Sequence, residues 1–454
     1  MVHPGEDPDA DRMKIVSTSS RSTVLRPSLL ALDGGRIVAG MEVEVTGDRI
    51  SGLRKASGPA DWNVCLLPGF VNGHSHAFQR GMRGQGESYP DGAGSFFTWR
   101  ASMYDLVGSL DPGRCHQICR LAFEEMLDAG ITTVGEFHYV HHGVDHAGAL
   151  DHAVLQAAAD AGIRIVLLHC DYVRGGFDGR PLTGGQIRFD GGTVEKFLES
   201  FERVATGCVG PLQTAAPISH STRAVPIERI AAIRDEARRR ETVFHIHLEE
   251  VVAEIEDCKQ VHGVTPMRLL LDHGIIDDRT TAIHCTHSTA GDLADFASAG
   301  GRICLCPNTE GNLGDGIPDI ATIRATGIPL SIGTDLNSRI APTEDLRWIE
   351  YVQRISRTMR GAVVDEENRT GGPLLQIGSA HGAESLGIEA GTIAVGRLAD
   401  FAAVDLDHRT LRGVSPDAVA EAIVFGTGPE SMAGTCVGGH WIRGGPTKGP
   451  EVIR

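Results

Sequence analysis

The chain has 454 residues, with 42 Lys or Arg against 59 Asp or Glu, for a net charge of −17. That surplus disfavours nucleic acid and anionic membrane as partners, and the length calls for one large domain with a smaller satellite. An anionic substrate would meet repulsion from such a surface, so its site must carry local positive charge.

The ten cysteines (65, 115, 119, 170, 208, 258, 285, 304, 306 and 436) contain no CxxC pair, which argues against a zinc ribbon or redox motif and for reduced thiols. The N-terminal MVHPGEDPDADRMK is acidic and proline-bearing where a signal peptide would be basic and then apolar, and no apolar run reaches membrane-spanning length. The expectation is a soluble cytoplasmic protein. Its 57 glycines are dispersed and read as turn punctuation rather than as a linker.

From about residue 14 to 66, the runs RIVAG, EVEVTG and RISGL between Gly and Asp turn signals predict a small β meander. Short apolar runs then alternate with helical stretches: LLPGF, VGEFH, DHAVLQAAADAG, IRIVLLHC, TVEKFLESFERVA, LQTAAPI, IERIAAIRDEARRR, VFHIH, MRLLLDHG, TTAIHC, GDLADFASAG, RICLC, IATIRATG, PLSIGTD and EDLRWIEYVQRISR. Eight strand candidates, each followed by a helix or long loop, predict an α/β protein with a (β/α)8 barrel of the TIM type, a doubly wound sheet being the alternative. GRLADFAAVDL and GTCVGGHWIRGG read as strands that rejoin the N-terminal meander in a small β-sandwich. The predicted division is 1–66 and 386–454 for the β domain and 67–385 for the barrel.

His74 and His76 stand two apart in GFVNGHSHAFQR at the end of the first strand candidate, so extended geometry puts both imidazoles on one face. His245 and His247 repeat that spacing in VFHIHLEE, with Glu250 three residues on; His245 reads equally well as a core residue. His284 ends TTAIHC and Asp335 ends SIGTD. These groups fall at C-terminal strand ends, the face on which barrel enzymes build their sites. Neutral imidazoles with a carboxylate suit Zn²⁺, and the same donors accept iron or manganese. Zinc makes water acidic enough to supply a nucleophile at neutral pH. Glu250 and His284 are placed to move the protons.

The strings HSHAFQR, FTWR, GEFHYVHH, SHSTRAV, HIHLEE, AIHCTH, TEGNLGDGIPD and GTD resemble those of the formimidoylglutamate deiminases of the amidohydrolase superfamily, from about Pro68 to Arg354. The resemblance implies His74, His76, His247 and Asp335 as ligands of one Zn²⁺, and Glu250, His284 and Asp335 as catalytic groups. It implies Gln79, Arg100, Tyr139, His220 and Arg223 as substrate contacts, N-formimino-L-glutamate as substrate, a role in histidine degradation, and a homodimer. Arg100 and Arg223 offer planar donors suited to a substrate with two carboxylates.

Other features are weaker. His138, His141 and His142 could form a second metal site, although adjacent loop histidines are more often solvated or hydrogen-bonded. NTEGNLGDGIPD reads as a mobile loop at the barrel mouth, and Cys285, Cys304 and Cys306 read as small core residues. Two departures from the family pattern stand out: Leu336 and Asn337 follow Asp335 where the family has a serine and then a histidine, and Glu249 replaces a small residue. They keep open a related hydrolase of another amidine or amide. A non-catalytic barrel is the third alternative, and it should have lost ligands that are all present here.

Overall fold

The computed structural model describes residues 22–87, 89, 96–142, 149–446 and 451–453, so the acidic N-terminal stretch lies outside the described residues. Eight parallel strands build the centre: β1 (Phe70–Ser75), β2 (Ile131–His138), β3 (Arg164–Asp171), β4 (Gln213–Ser219), β5 (Phe244–Leu248), β6 (Thr280–His284), β7 (Arg302–Leu305) and β8 (Leu330–Ile332). β1 to β4 pair in order as one parallel sheet and β5 to β8 as another. Bridges between Ser221 and His247, and between Ser75 and Asp335, close the two seams. The barrel is thus closed, which a doubly wound sheet with two open edges is not.

Every residue of β2 and β3 is buried, as parallel strands covered on both sides require. The covering helices follow the sequence periodicity. Val194–Gly207 buries Phe197, Phe201 and Val204 along one stripe, and Thr193 caps it by accepting the Lys196 N–H.

LLPGF does not form one strand. Leu66, Leu67 and Pro68 end the strand Trp62–Pro68 of another sheet, and β1 begins at Phe70. Gly69 is the crossing point: a Cβ there would lie 2.2 Å from Thr132 Oγ1, so no other residue fits without displacing β2.

Trp62–Pro68 lies inside a six-stranded sheet, paired on one side with Pro27–Ala31 and on the other with Phe401–Asp405, so chain from before and after the barrel shares one sheet. A four-stranded sheet includes Ser22–Leu25, Met41–Thr46 and Arg49–Lys55. One apolar cluster draws Leu25, Val43 and Ile50 from the smaller sheet and Leu30, Leu66 and Phe401 from the larger. Arg164, at the start of β3, is clamped by Asp400 with Nε–Oδ2 at 2.9 Å and both side chains buried, which ties the larger sheet to the barrel. Among the described residues, no helix is long and apolar enough to cross a membrane.

Candidate metal and substrate site

The histidines and the aspartate meet at the C-terminal ends of the strands, and the seams hold them there. His76 N–H donates to Asp335 O (2.9 Å) and Asp335 N–H to His74 O (3.0 Å), so three of the predicted ligands are locked by one stretch of ladder. His247 N–H donates to His220 O (2.9 Å) across the other seam. The turns that aim these groups are strained: His284, Cys285, Asp335 and Asn337 all have positive φ (73°, 53°, 45° and 55°), a region that residues other than glycine seldom occupy.

The side chains converge. His76 Nε2 lies 3.3 Å from His247 Nε2, and both His74 Nε2 and His76 Nε2 lie 3.5 Å from Asp335 Oδ1. The Nδ1–H of His76 is donated to Phe137 O (2.7 Å) and that of His247 to His220 O (3.1 Å). Their Nε2 atoms are therefore bare lone pairs pointing at each other. Neither ring nitrogen of His74 has a hydrogen-bond partner. With metal–ligand distances of about 2.1 Å, neighbouring donors in a tetrahedral zinc site stand roughly 3.3 Å apart, which these separations match. Burial pushes His74 down to about 3 and holds His76 and His247 below the usual imidazole range, so all three rings are neutral donors.

His284 stands beside this group with Nε2 3.6 Å from Glu250 Oε1 and 3.7 Å from Asp335 Oδ2, and Nδ1 3.4 Å from Glu310 Oε1. Burial opposes a charge on His284, but Glu250, Glu310 and Asp335 outweigh it and raise the imidazole well above its usual range. Burial also raises the Glu250 carboxyl, with His284 opposing. His245 goes elsewhere: its Nε2 donates to Ser385 O (2.7 Å), away from the metal-competent group.

Above lies a cavity lined by His76, His247, Asp335 and Glu250, and also by Gln79, Arg100, Tyr139, His220 and Arg223. All five predicted substrate contacts thus face one space. Gln79 Nε2 donates to Tyr139 Oη (2.8 Å), Arg223 Nη1 to Tyr172 Oη (3.0 Å), and the His220 ring stacks on that of His247 with centroids 4.6 Å apart.

Trp99, Tyr104, Tyr172 and Leu313 also line the cavity and were not singled out from sequence. Tyr172 directly follows β3, so strand-end position was the available signal. Glu310 was missed for another reason: the NTEGNL half of NTEGNLGDGIPD is not loop but part of the helix Pro307–Leu313, and Glu310 is buried there, accepting the Cys306 N–H (2.9 Å). Glu249 is buried too, and binds Met267 N (2.9 Å) and Ser288 Oγ (2.5 Å) rather than anything at the metal group. Of the loop histidines expected to be solvated or hydrogen-bonded, His138 and His141 are buried, at 1% and 2% exposed, and His141 is hydrogen-bonded to Asp151 and to Cys170 O.

The barrel and its ligand-competent mouth define a metal-type hydrolase scaffold, and residues 65–442 match the model of the amidohydrolase family. The chain belongs to the amidohydrolase family and is a hydrolase acting on C–N bonds. It is 36% identical to formimidoylglutamate deiminase of Pseudomonas aeruginosa over 87% of this chain and 88% of that one. Its identity to 5-methylthioadenosine/S-adenosylhomocysteine deaminase of Halobacterium salinarum is 26%, over 91% and 90% of the two chains. A solved amidohydrolase from Brucella melitensis superposes with a TM-score of 0.83 at 30% identity, covering 93% of this chain and 95% of that one.

Proposed function

We propose that the protein hydrolyses N-formimino-L-glutamate to N-formyl-L-glutamate and ammonia. The observation that carries this reading is the shared cavity: two guanidinium groups, Arg100 and Arg223, face the same space as the carboxylate of Glu250 and the metal-competent group. The substrate has two carboxylates and a cationic formimino group, so its charges complement these side chains. The 36% identity to a formimidoylglutamate deiminase supports the same choice.

In this reading His74, His76, His247 and Asp335 hold one Zn²⁺, which supplies an activated water and polarises the amidine when bound. Glu250 removes the proton from the attacking water and returns it to the departing nitrogen, so that C–O bond formation is balanced by C–N cleavage and release of ammonia. His284, held between Glu250, Glu310 and Asp335, keeps that carboxylate group in order and shares the proton. Arg100 and Arg223 bind the carboxylates, while Gln79, Tyr139 and His220 fix the formimino end. The resemblance that supplies the substrate also implies histidine degradation and a homodimer, while the cytoplasmic location rests on the cysteine usage. We further divide the chain at Gly69, a little past the expected 66/67 because the strand Trp62–Pro68 belongs to the terminal sheet, and at 385/386, and read the two terminal sheets as a sandwich because one apolar cluster draws on both.

A second reading rests on Leu336. It puts an aliphatic side chain on the cavity wall beside Asp335, where the resemblance leads one to expect a hydroxyl. A related amidine or amide with an apolar group at that point would suit this wall better. Ammonia release separates the two: strong release from N-formimino-L-glutamate, with little from N-formimino-L-aspartate or a neutral amidine, supports the first. No release from a metal-loaded protein would replace it with the second.

A further inference from the structure

Outside the barrel, on the opposite face of β2 from Phe137, a second group of histidines is buried against Asp151. Asp151 belongs to the helix Ala149–Ala161, His138 ends β2, and His169 lies in β3. His141 follows β2 by three residues. All four residues are at most 2% exposed. His141 Nδ1 is 3.0 Å from Asp151 Oδ1, His169 Nδ1 is 2.9 Å from it and His138 Nε2 is 3.8 Å from it.

Hydrogen bonding leaves this group unfinished. Both ring nitrogens of His138, Nε2 of His169 and Oδ2 of Asp151 are buried without a partner. Buried polar atoms are nearly always paired, and several orphans in one place call for an ion or water. The donor atoms of His138, His141 and Asp151 lie within 4.8 Å of one another. His141 Nε2 points at Cys170 O (2.7 Å), so Nδ1 can serve as the donor atom while Nε2–H is given to a carbonyl. His76 is arranged in the same way with its two nitrogens exchanged, and that pattern is usual for metal-bound histidine.

We propose that His138, His141 and Asp151, with His169 beside them, form a second cation site. Two imidazoles and one carboxylate favour a zinc-class ion over magnesium or calcium. The site is a structural brace: it fixes the end of β2, where Phe137 O holds His76 and where Tyr139 enters the substrate cavity. A cavity lined by His141, His169, Asp190 and Glu199 gives the ion a way in.

The test is metal counting on the intact protein, purified without chelator or a metal-affinity step, together with Co²⁺ titration of the stripped chain. Two equivalents are expected in the wild type. One is expected in His247→Ala, which keeps the outer site, and one in Asp151→Asn, which keeps the inner site. His138→Gln serves as a second outer-site variant should Asp151→Asn fail to fold, because His138 gives up no hydrogen bond. A wild type that saturates at one Co²⁺, with that count unchanged in His138→Gln, overturns the proposal and leaves a buried ion pair between His141 and Asp151. A failure confined to His247→Ala would concern the inner site alone.

Discussion

The Nε2 atoms of His76 and His247 face each other 3.3 Å apart while each ring donates its Nδ1–H to a main-chain carbonyl. Two lone pairs at that distance repel, and with Asp335 at 3.5 Å only a cation resolves the arrangement. Chelation should therefore lower Tm and re-addition of Zn²⁺ restore it. A ligand at 100 times its Kd stabilises by about 2.7 kcal/mol. His247→Ala should remove the share of that difference that belongs to the inner site, and melts with and without chelator measure it. An unchanged Zn²⁺ effect in the variant would show that the cation sits elsewhere.

Glu250 bears on chemistry rather than on metal retention. Its carboxylate stands 3.6 Å from His284 Nε2 and faces the cavity. Glu250→Gln keeps the shape and removes the base, so kcat should fall by about 10²–10⁴-fold while metal content stays at the wild-type level. Near-normal kcat in that variant would give the proton transfer to another group.

Arg223 is a half-buried cation of the cavity wall, its Nη1 donating to Tyr172 Oη. If it binds a substrate carboxylate, Arg223→Ala should lose about 1.5–3 kcal/mol of that interaction, a drop of roughly 10–150-fold in kcat/KM. Arg223→Lys should recover only part of it, since an ammonium lacks the planar fork. The loss should shrink for an analogue lacking one carboxylate; an equal loss with both substrates would mean that Arg223 only supports the wall.

Glu136 predicts an alkaline limit to stability. It is buried on the outer face of β2, where its Oε1 accepts the Ala77 N–H (2.7 Å), but burial outweighs that bond and the nearby Ser75 hydroxyl and pushes the carboxyl up to about 8. A folded-state pKa above the ordinary carboxyl value of about 4.5 means that the contribution is fully present below about 4.5 and is lost as pH rises through about 8. The protein should lose about 1.4 kcal/mol per pH unit across that window from this group. Glu136→Gln should flatten the decline, as Tm measured from pH 5 to pH 9 will show.

Much of this was legible in the sequence because the barrel repeats one local signal. Eight apolar runs, each leading to a helix or long loop, announce parallel strands covered on both faces, and HxH at a strand end states which way the imidazoles point. Three things were not legible. LLPGF spans two strands because Gly69 passes too close to Thr132 for any side chain, and that contact is 63 residues away along the chain. NTEGN reads as a loop by composition, yet Pro307 at its start and the Glu310 carboxylate under Cys306 N–H hold it as a helix. The burial of histidines 138 and 141 was not legible because Asp151, which binds His141 and His169, sits on a helix whose packing the local pattern does not reveal.

Asn337 joins the sequence departure to the metal group. It is fully buried at φ 55°, away from the cavity lining, and its side chain ties its own turn to β1. Thr334 Oγ1 donates to its Oδ1 (2.7 Å), while its Nδ2 donates to Asp335 O (2.9 Å) and Ser75 Oγ (3.1 Å). Thr334 Oγ1 also accepts from Asn72 Nδ2 (2.7 Å), so the turn presenting Asp335 is fastened to β1 on both sides of His74. Asn337→Gly tolerates the positive φ and deletes only the side chain, which separates bracing from backbone strain. It should cost about 1–3 kcal/mol in stability through the partners left unpaired, and about 10–100-fold in metal affinity because Asp335 loses its orientation. Urea melts give the first quantity and competition with a chromogenic chelator the second. A stability loss without any change in metal affinity would confine Asn337 to packing and leave the aim of Asp335 to the main-chain bonds with His74 and His76.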